Sequence, residues 1–168
     1  MTLTLASIVG GYDAGLGSLD HLVDRGLAHC AEHGVAESDM LEWRLASDMF
    51  SFRQQVQAAC NLAAQWPARV AGIEVPPTIE GDSDAAQLHV AIAETRAFVK
   101  SFPADQLNVK EDEPFTFDLG SVAPTLPVSR WITSFTTTNF LFHLSMAYAI
   151  LRARGVPLGK PDLFAGGL

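Results

Sequence analysis

Apolar residues recur three and four apart along most of the chain, the period of helices with one buried face. From Thr4 to His33 the stripe reads Leu5, Ile8, Val9, Tyr12, Leu16, Leu19, Leu22, Val23 and Leu27, and Gly34 offers a C-terminal stop. Glycines at 10, 11, 15 and 17 would each cost an isolated helix about 1 kcal/mol relative to alanine. A distortion is therefore expected near Gly10–Gly17, although small residues there also let a neighbouring backbone come close. Ser38 and Asp39 predict the cap of a short helix ending near Ala46, and Ser47 or Asp48 the cap of a longer one from Met49 to about Val70. The buried stripe of that second long helix reads Met49, Phe52, Val56, Ala59, Ala63, Trp66 and Val70, with Pro67 placed to kink it or end it early. A third long helix opens at Ser83, carries Leu88, Ile92, Thr95, Val99 and Phe102, and stops before Pro103.

Gly72–Asp84, with Pro76 and Pro77, reads as a loop, and Asn108–Pro127 is the least helical stretch. Within it Phe115-Thr-Phe117 alternates, Gly120 and Ser121 offer a turn, and Val122–Leu126 can pair back, so a short hairpin is expected despite Pro124. The last helix runs from Val128 or Ser129 to Arg154, halted by Gly155 and Pro157. Four principal helices with a polar crossover before the fourth predict an all-α four-helix bundle, one domain over residues 1–168. The last helix has two apolar stripes. One reads Ile132, Phe135, Asn139, Phe142, His143, Met146 and Ile150, placing the polar pair Asn139 and His143 on one face, a turn apart. The other reads Phe140, Leu144, Ala147, Tyr148 and Leu151. A helix apolar around most of its circumference is buried on two sides. In so short a chain the second side points to a homodimer, formed through Phe140/Leu144/Tyr148 or through the first helix.

Composition then removes several classes of function. Of 168 residues, 48% are hydrophobic and 18% charged, enough apolar surface for a core and too much for a disordered chain. Nineteen acidic residues against eleven basic ones leave a formal charge of -8 with no Lys/Arg cluster, which argues against nucleic acid. Mean hydropathy is positive, yet no apolar run reaches the ~18 residues of a membrane span. Met1–Gly11 lacks the basic start of a signal peptide, and two scattered cysteines, Cys30 and Cys60, build no disulfide framework, so a reducing cytoplasm is expected. No phosphate-cradling glycine loop, nucleophile elbow or zinc-finger spacing is present. His29 and His33 sit one turn apart at a helix end, where an exposed, non-metal role is the expectation, while Cys60 reads as a core residue and Glu111-Asp-Glu113 as a solvated crossover.

The run Asn139-Phe-Leu-Phe-His143, then Ala147-Tyr-Ala-Ile-Leu-Arg152 and Gly155-Val-Pro-Leu-Gly159, resembles the end of a bacterial family of unknown function. That family is the domain-of-unknown-function family numbered nineteen ninety-three, within the DinB/YfiT-like superfamily of metalloenzymes. Leu45-Ala-Ser-Asp-Met-Phe50, Gln55-Val-Gln57 and Ala71-Gly-Ile-Glu-Val-Pro76 resemble its other blocks in the same order. The resemblance implies a DinB-like antiparallel bundle, often dimeric. Superfamily members of known activity include thiol-cofactor-dependent transferases and isomerases. They commonly hold a divalent metal with one His of the second helix and a His-x-x-x-His pair of the last, because imidazoles four apart reach one ion and a third leaves a position open. Counting back from Arg152 and Gly155, His143 falls on the second His of that pair and Asn139 on the first. The second-helix ligand falls near Gln57 or Ala58, and Ser134 and Thr138 stand where relatives carry His and Pro. The three-His set is thus not present, and amide oxygens suit harder cations than zinc. The resulting expectation is a non-catalytic or metal-lost member binding a small ligand or partner through a pocket lined by Gln57, Asn139 and His143, with His143 the sole ligand if a metal is retained. A buried His143 would bond Asn139 or a backbone carbonyl, and a buried Asn139 would bond Gln57 or His143. The competing expectation is a metal- or low-molecular-weight-thiol-dependent transferase or isomerase working through His143.

Overall fold

The computed structural model describes residues 4–167. Helix α1 (Leu5–His33) opens on a reciprocal cap, the Thr4 side chain accepting from the Ser7 amide while the Thr4 amide donates to the Ser7 hydroxyl. It closes on Gly34 at φ 67°. As the single Thr4–His33 stripe implied, one helix passes through Gly10–Gly17, and it does so without the distortion the glycines suggested. Gly15 lies against the Phe140 ring, where a Cβ would come within 2.6 Å of it, so the missing side chain serves a close helix approach.

Short α2 (Glu37–Leu41) begins before Ser38 and ends well short of Ala46. Glu37 is turned to another use, its carboxylate accepting the Ala85 amide at 2.8 Å. The second long helix, α3 (Phe52–Ala71), starts later than expected and is capped by Ser51 rather than Ser47 or Asp48. Ser51 and Gln54 form a second reciprocal cap, a Ser-x-x-Gln pattern visible in the sequence. Pro67 lies inside α3 without ending it, and the helix closes on Gly72, with Lys110 donating to the Ala71 carbonyl. Asp84, not Ser83, caps α4 (Ala85–Ser101). An unanticipated short helix, α5 (Ala104–Asn108), follows, and Asn108 accepts the Ala6 amide at the open start of α1. The hairpin pairs β1 (Pro114–Thr116) with β2 (Thr125–Pro127), antiparallel, with Phe115 opposite Leu126.

The last helix is continuous from Val128 to Ala153 but not uniform. After α6 (Val128–Arg130), residues Trp131–Thr136 form a wide π-helical turn before α7 (Thr137–Ala153). Thr136 and Thr137 donate their hydroxyls to the carbonyls of Trp131 and Ile132, each five residues back, at 2.8 Å. A π turn carries an extra residue, which rotates everything after it by roughly 100°. The buried row consequently passes from Ile132 and Thr136 to Phe140, Leu144, Ala147 and Leu151. The second apolar stripe is therefore packed largely within the chain, with Phe140 and Leu144 buried and Phe140 against Tyr12. Phe142 stays 48% exposed, and Asn139 and His143 are half-buried.

Helices α1, α3, α4 and α7 make an antiparallel four-helix bundle whose widest seams join α3 to α7 and α1 to α4. A terminal 3-10 turn, Lys160–Phe164, folds back on α1, where Ser18 donates to the Leu163 carbonyl and His21 meets Asp162 at 2.7 Å. Among the described residues no helix is long and apolar enough to cross a membrane. Two glycines in α1 are expected to behave oppositely. Gly15→Val should lower the unfolding free energy by about 1–3 kcal/mol through overpacking at Phe140. Gly10→Ala, where a Cβ meets nothing within 4 Å, should raise it by up to about 1 kcal/mol; urea unfolding monitored by circular dichroism measures both.

Candidate functional site

The outer face of α3 carries amides four residues apart, and they hold the loop of residues 72–84. Gln57, buried, donates to the Gly81 carbonyl at 3.0 Å and the Ser83 hydroxyl at 3.1 Å. Asn61 takes both polar groups of the Ile79 backbone at 2.9 Å, and Gln65 donates to the Pro76 carbonyl and the Thr78 hydroxyl. Side chains at i and i+4 share a helix face, so three amides grip one crossing strand of chain. Between this face and the loop lies a cleft of about 490 Å³, bordered by Glu42, Phe50, Arg53, Gln57, Glu80 and Asp82 among others. Arg53 is nearly enclosed there, paired with Glu42 and, at 3.3 Å, with Asp82, while its Nε has no partner among the described residues.

His143 reaches α3 from the other side. Its Nδ1 lies 2.7 Å from Gln55 Oε1, and Gln55 Nε2 donates to the Phe50 carbonyl at 3.2 Å. The carbonyl orients the amide, so its oxygen must face the imidazole and Nδ1 must carry the proton. Nε2 is left as a lone pair with no hydrogen bond from the described residues. Burial holds the His143 pKa below the ordinary imidazole value, which keeps the ring neutral near pH 7. Phe50 stacks on the ring at 5.9 Å, and Phe142 meets it edge-on at 5.3 Å.

Of the sequence-predicted residues, Gln57 borders the cleft, while Asn139 and His143 lie one turn apart on α7. Gln55 and Gln57 are two apart on one helix and so point in opposed directions, Gln55 to α7 and Gln57 to the loop. Phe50 joins the two regions, bordering the cleft and stacking on His143. The expected hydrogen bonds differ. Asn139 donates to the Phe135 carbonyl, four residues back on its own helix, at 2.7 Å, instead of to Gln57 or His143. Sequence reasoning missed Gln55 as the partner of His143. The signal was available: Gln55 stands three after Phe52 and four before Ala59, a polar residue in an apolar row, as Asn139 does.

A three-His metal centre does not fit this donor set. Among the described residues no group of three His, Cys, Asp or Glu side chains converges. One imidazole nitrogen is open, Asn139 is tied to the backbone, and the Gln57 nitrogen is tied to the loop. His29 and His33 stack face to face at 4.1 Å, with His33 Nδ1 donating to the His29 carbonyl. Both cysteines are free and buried, and burial pushes the Cys60 thiol up to about 12, too high for a thiolate near neutral pH.

A four-helix bundle with a short hairpin before its last helix is the architecture of a DinB-like protein. Residues 6–164 match the model of the domain of unknown function DUF1993, and the chain belongs to that family. Its fold is similar to a crystal structure of a DinB family member protein from Shewanella denitrificans. The TM-score is 0.86 and the identity 26%, covering 95% of this chain and 91% of that one. No curated protein matches the chain.

A depressed imidazole pKa makes stability depend on pH with a definite sign. The unfolded chain takes up the proton first as pH falls through 6.5, so the stability that neutral His143 gives the fold is present above that value and is lost below it, toward the lower native pKa. Between about pH 8 and pH 5 the wild-type unfolding free energy should therefore fall more than that of His143→Gln. Urea denaturation of both proteins across this range checks it; equal slopes would refute it.

Proposed function

We propose that this protein is a non-catalytic, small-ligand-binding member of its family. On this reading it acts as one domain of residues 1–168 in a reducing cytoplasm and uses the region spanned by Gln57, Phe50, Asn139 and His143. The observation that carries the reading is the held imidazole. Gln55 fixes the His143 tautomer, so Nε2 presents an oriented acceptor behind Phe50, and Phe50 also walls a cleft of about 490 Å³. That volume is in the range of small-molecule sites. In this reading Gln57 offers its amide oxygen to the cleft and His143 backs Phe50, while Asn139, outside the cleft lining, stays bonded to the Phe135 carbonyl. The competing reading, a metal- or thiol-dependent transferase or isomerase, would recruit His143 Nε2 as its one imidazole ligand.

Calorimetric titration with zinc, nickel and manganese separates the two. The ligand-binding reading predicts no stoichiometric site that depends on His143. One-to-one binding abolished by His143→Ala, with His29 and His33 intact, would establish the metal-dependent one instead.

We also propose a homodimer, formed beside the first helix. Leu141, 51% exposed, and Phe164, 46% exposed, border an apolar groove of about 300 Å³ between α1 and α7, floored by Gly11, Gly15 and Phe140. Exposed apolar surface of this kind favours association. Light scattering at micromolar concentration should give twice the chain mass, reduced to one chain in Leu141→Glu; a wild-type monomer contradicts it.

A further inference from the structure

The cleft along α3 has a definite electrostatic character. Among the residues bordering it, one cation, Arg53, faces three carboxylates, Glu42, Glu80 and Asp82, and Arg44 just outside also pairs with Glu42 at 3.0 Å. Two of the Arg53 nitrogens, Nη1 and Nη2, are answered from within the chain by Asp82 and Glu42, while its Nε is sealed from solvent. Glu80 has no partner among the described residues, so carboxylates are in excess. The positive end of α3 does not reverse this, because Ser51 and Gln54 close it with their reciprocal cap. Gln57 adds a directional group. It is only 5% exposed; its Nε2 is held by the loop, while its Oε1 accepts no hydrogen bond from the described residues and is not among the atoms sealed from solvent. Phe50, 51% exposed, borders the same cleft with its ring backed by the neutral His143 imidazole.

We propose that this cleft binds a small organic cation: an amine, amidine or guanidine. Its charged head lies toward Glu80, one N–H donates to Gln57 Oε1, and its body lies against the Phe50 ring, whose face attracts cations. This rests on the ligand-binding reading above and names the chemical class of the ligand. An anion would meet the surplus carboxylates, and a neutral molecule would forgo the attraction of the exposed Glu80 carboxylate.

Three probes of matched shape and different charge decide it: benzylamine, benzyl alcohol and benzoate, titrated into the full chain and followed by proton–nitrogen correlation NMR. Benzylamine should shift the Gln57 side-chain amide and the Gly81 and Asp82 backbone signals. Its affinity should drop about five-fold in Glu80→Gln, fall in Phe50→Leu, and weaken as salt is added. If benzyl alcohol or benzoate binds at the same signals as tightly as benzylamine, the cation class is overturned and the ligand cleft stands. Benzylamine binding unaffected by both substitutions overturns the placement. Silence with all three probes overturns the cation class and the ligand-binding reading together.

Discussion

Across the α3–α7 seam, His143 donates its Nδ1–H to the side-chain oxygen of Gln55, and the Gln55 amide nitrogen in turn donates to the Phe50 carbonyl. Apolar side chains buried along α3 and α7 drive the seam closed, but such contact is non-directional and tolerates sliding. A hydrogen bond between a buried amide and a half-buried imidazole does not. Misregistered, it leaves a donor unsatisfied at a cost of about 1–3 kcal/mol. The same bond sets the chemistry of the site, since it decides which imidazole nitrogen carries the proton. It also positions Phe50, the residue shared by the imidazole and the cleft. Register, tautomer and cleft wall thus hang on one amide.

Helix identities could be read from periodicity because each long helix buries one stripe and carries ordinary stop signals. The Leu5–Leu27 stripe with Gly34, and Leu88–Val99 before Pro103, are cases in which local chemistry and tertiary packing agree. Starts were harder wherever several capping residues stood close together. Ser47, Asp48 and Ser51 all suit an N-cap, and only the reciprocal partner Gln54 singles out Ser51. The π turn was the largest departure. Nothing in a 3.6-residue period announces an extra residue, so the row through Phe135, Asn139 and His143 was expected to be buried alongside the Phe140 row. The run of threonines at 136–138 was the available hint, because their hydroxyls can bond back to carbonyls of the preceding turn.

Parts of the site were legible for a different reason. His143 and Asn139 stood out as polar residues in an apolar row, and Gln57 through its place in the resembling block. What could not be read was direction. Gln57 points to a loop whose path depends on Asn61, Gln65 and two prolines, and no local pattern specifies that path. Arg53 reads as an exposed helical arginine, yet the loop carries Asp82 over it and the α2–α3 connection brings Glu42. The cleft arises from these long-range placements, and its excess of carboxylate gives the acidic composition a location that residue counting alone could not assign.

The protonation pattern of one ring tests the account at its root. Long-range proton–nitrogen NMR of the His143 imidazole, compared with Gln55→Leu, reads the tautomer directly. The account predicts a neutral ring at pH 7 with the proton on Nδ1 in the wild type, and loss of that preference once the Gln55 oxygen is removed. A ring that is charged at pH 7, or protonated on Nε2 alone, would contradict it.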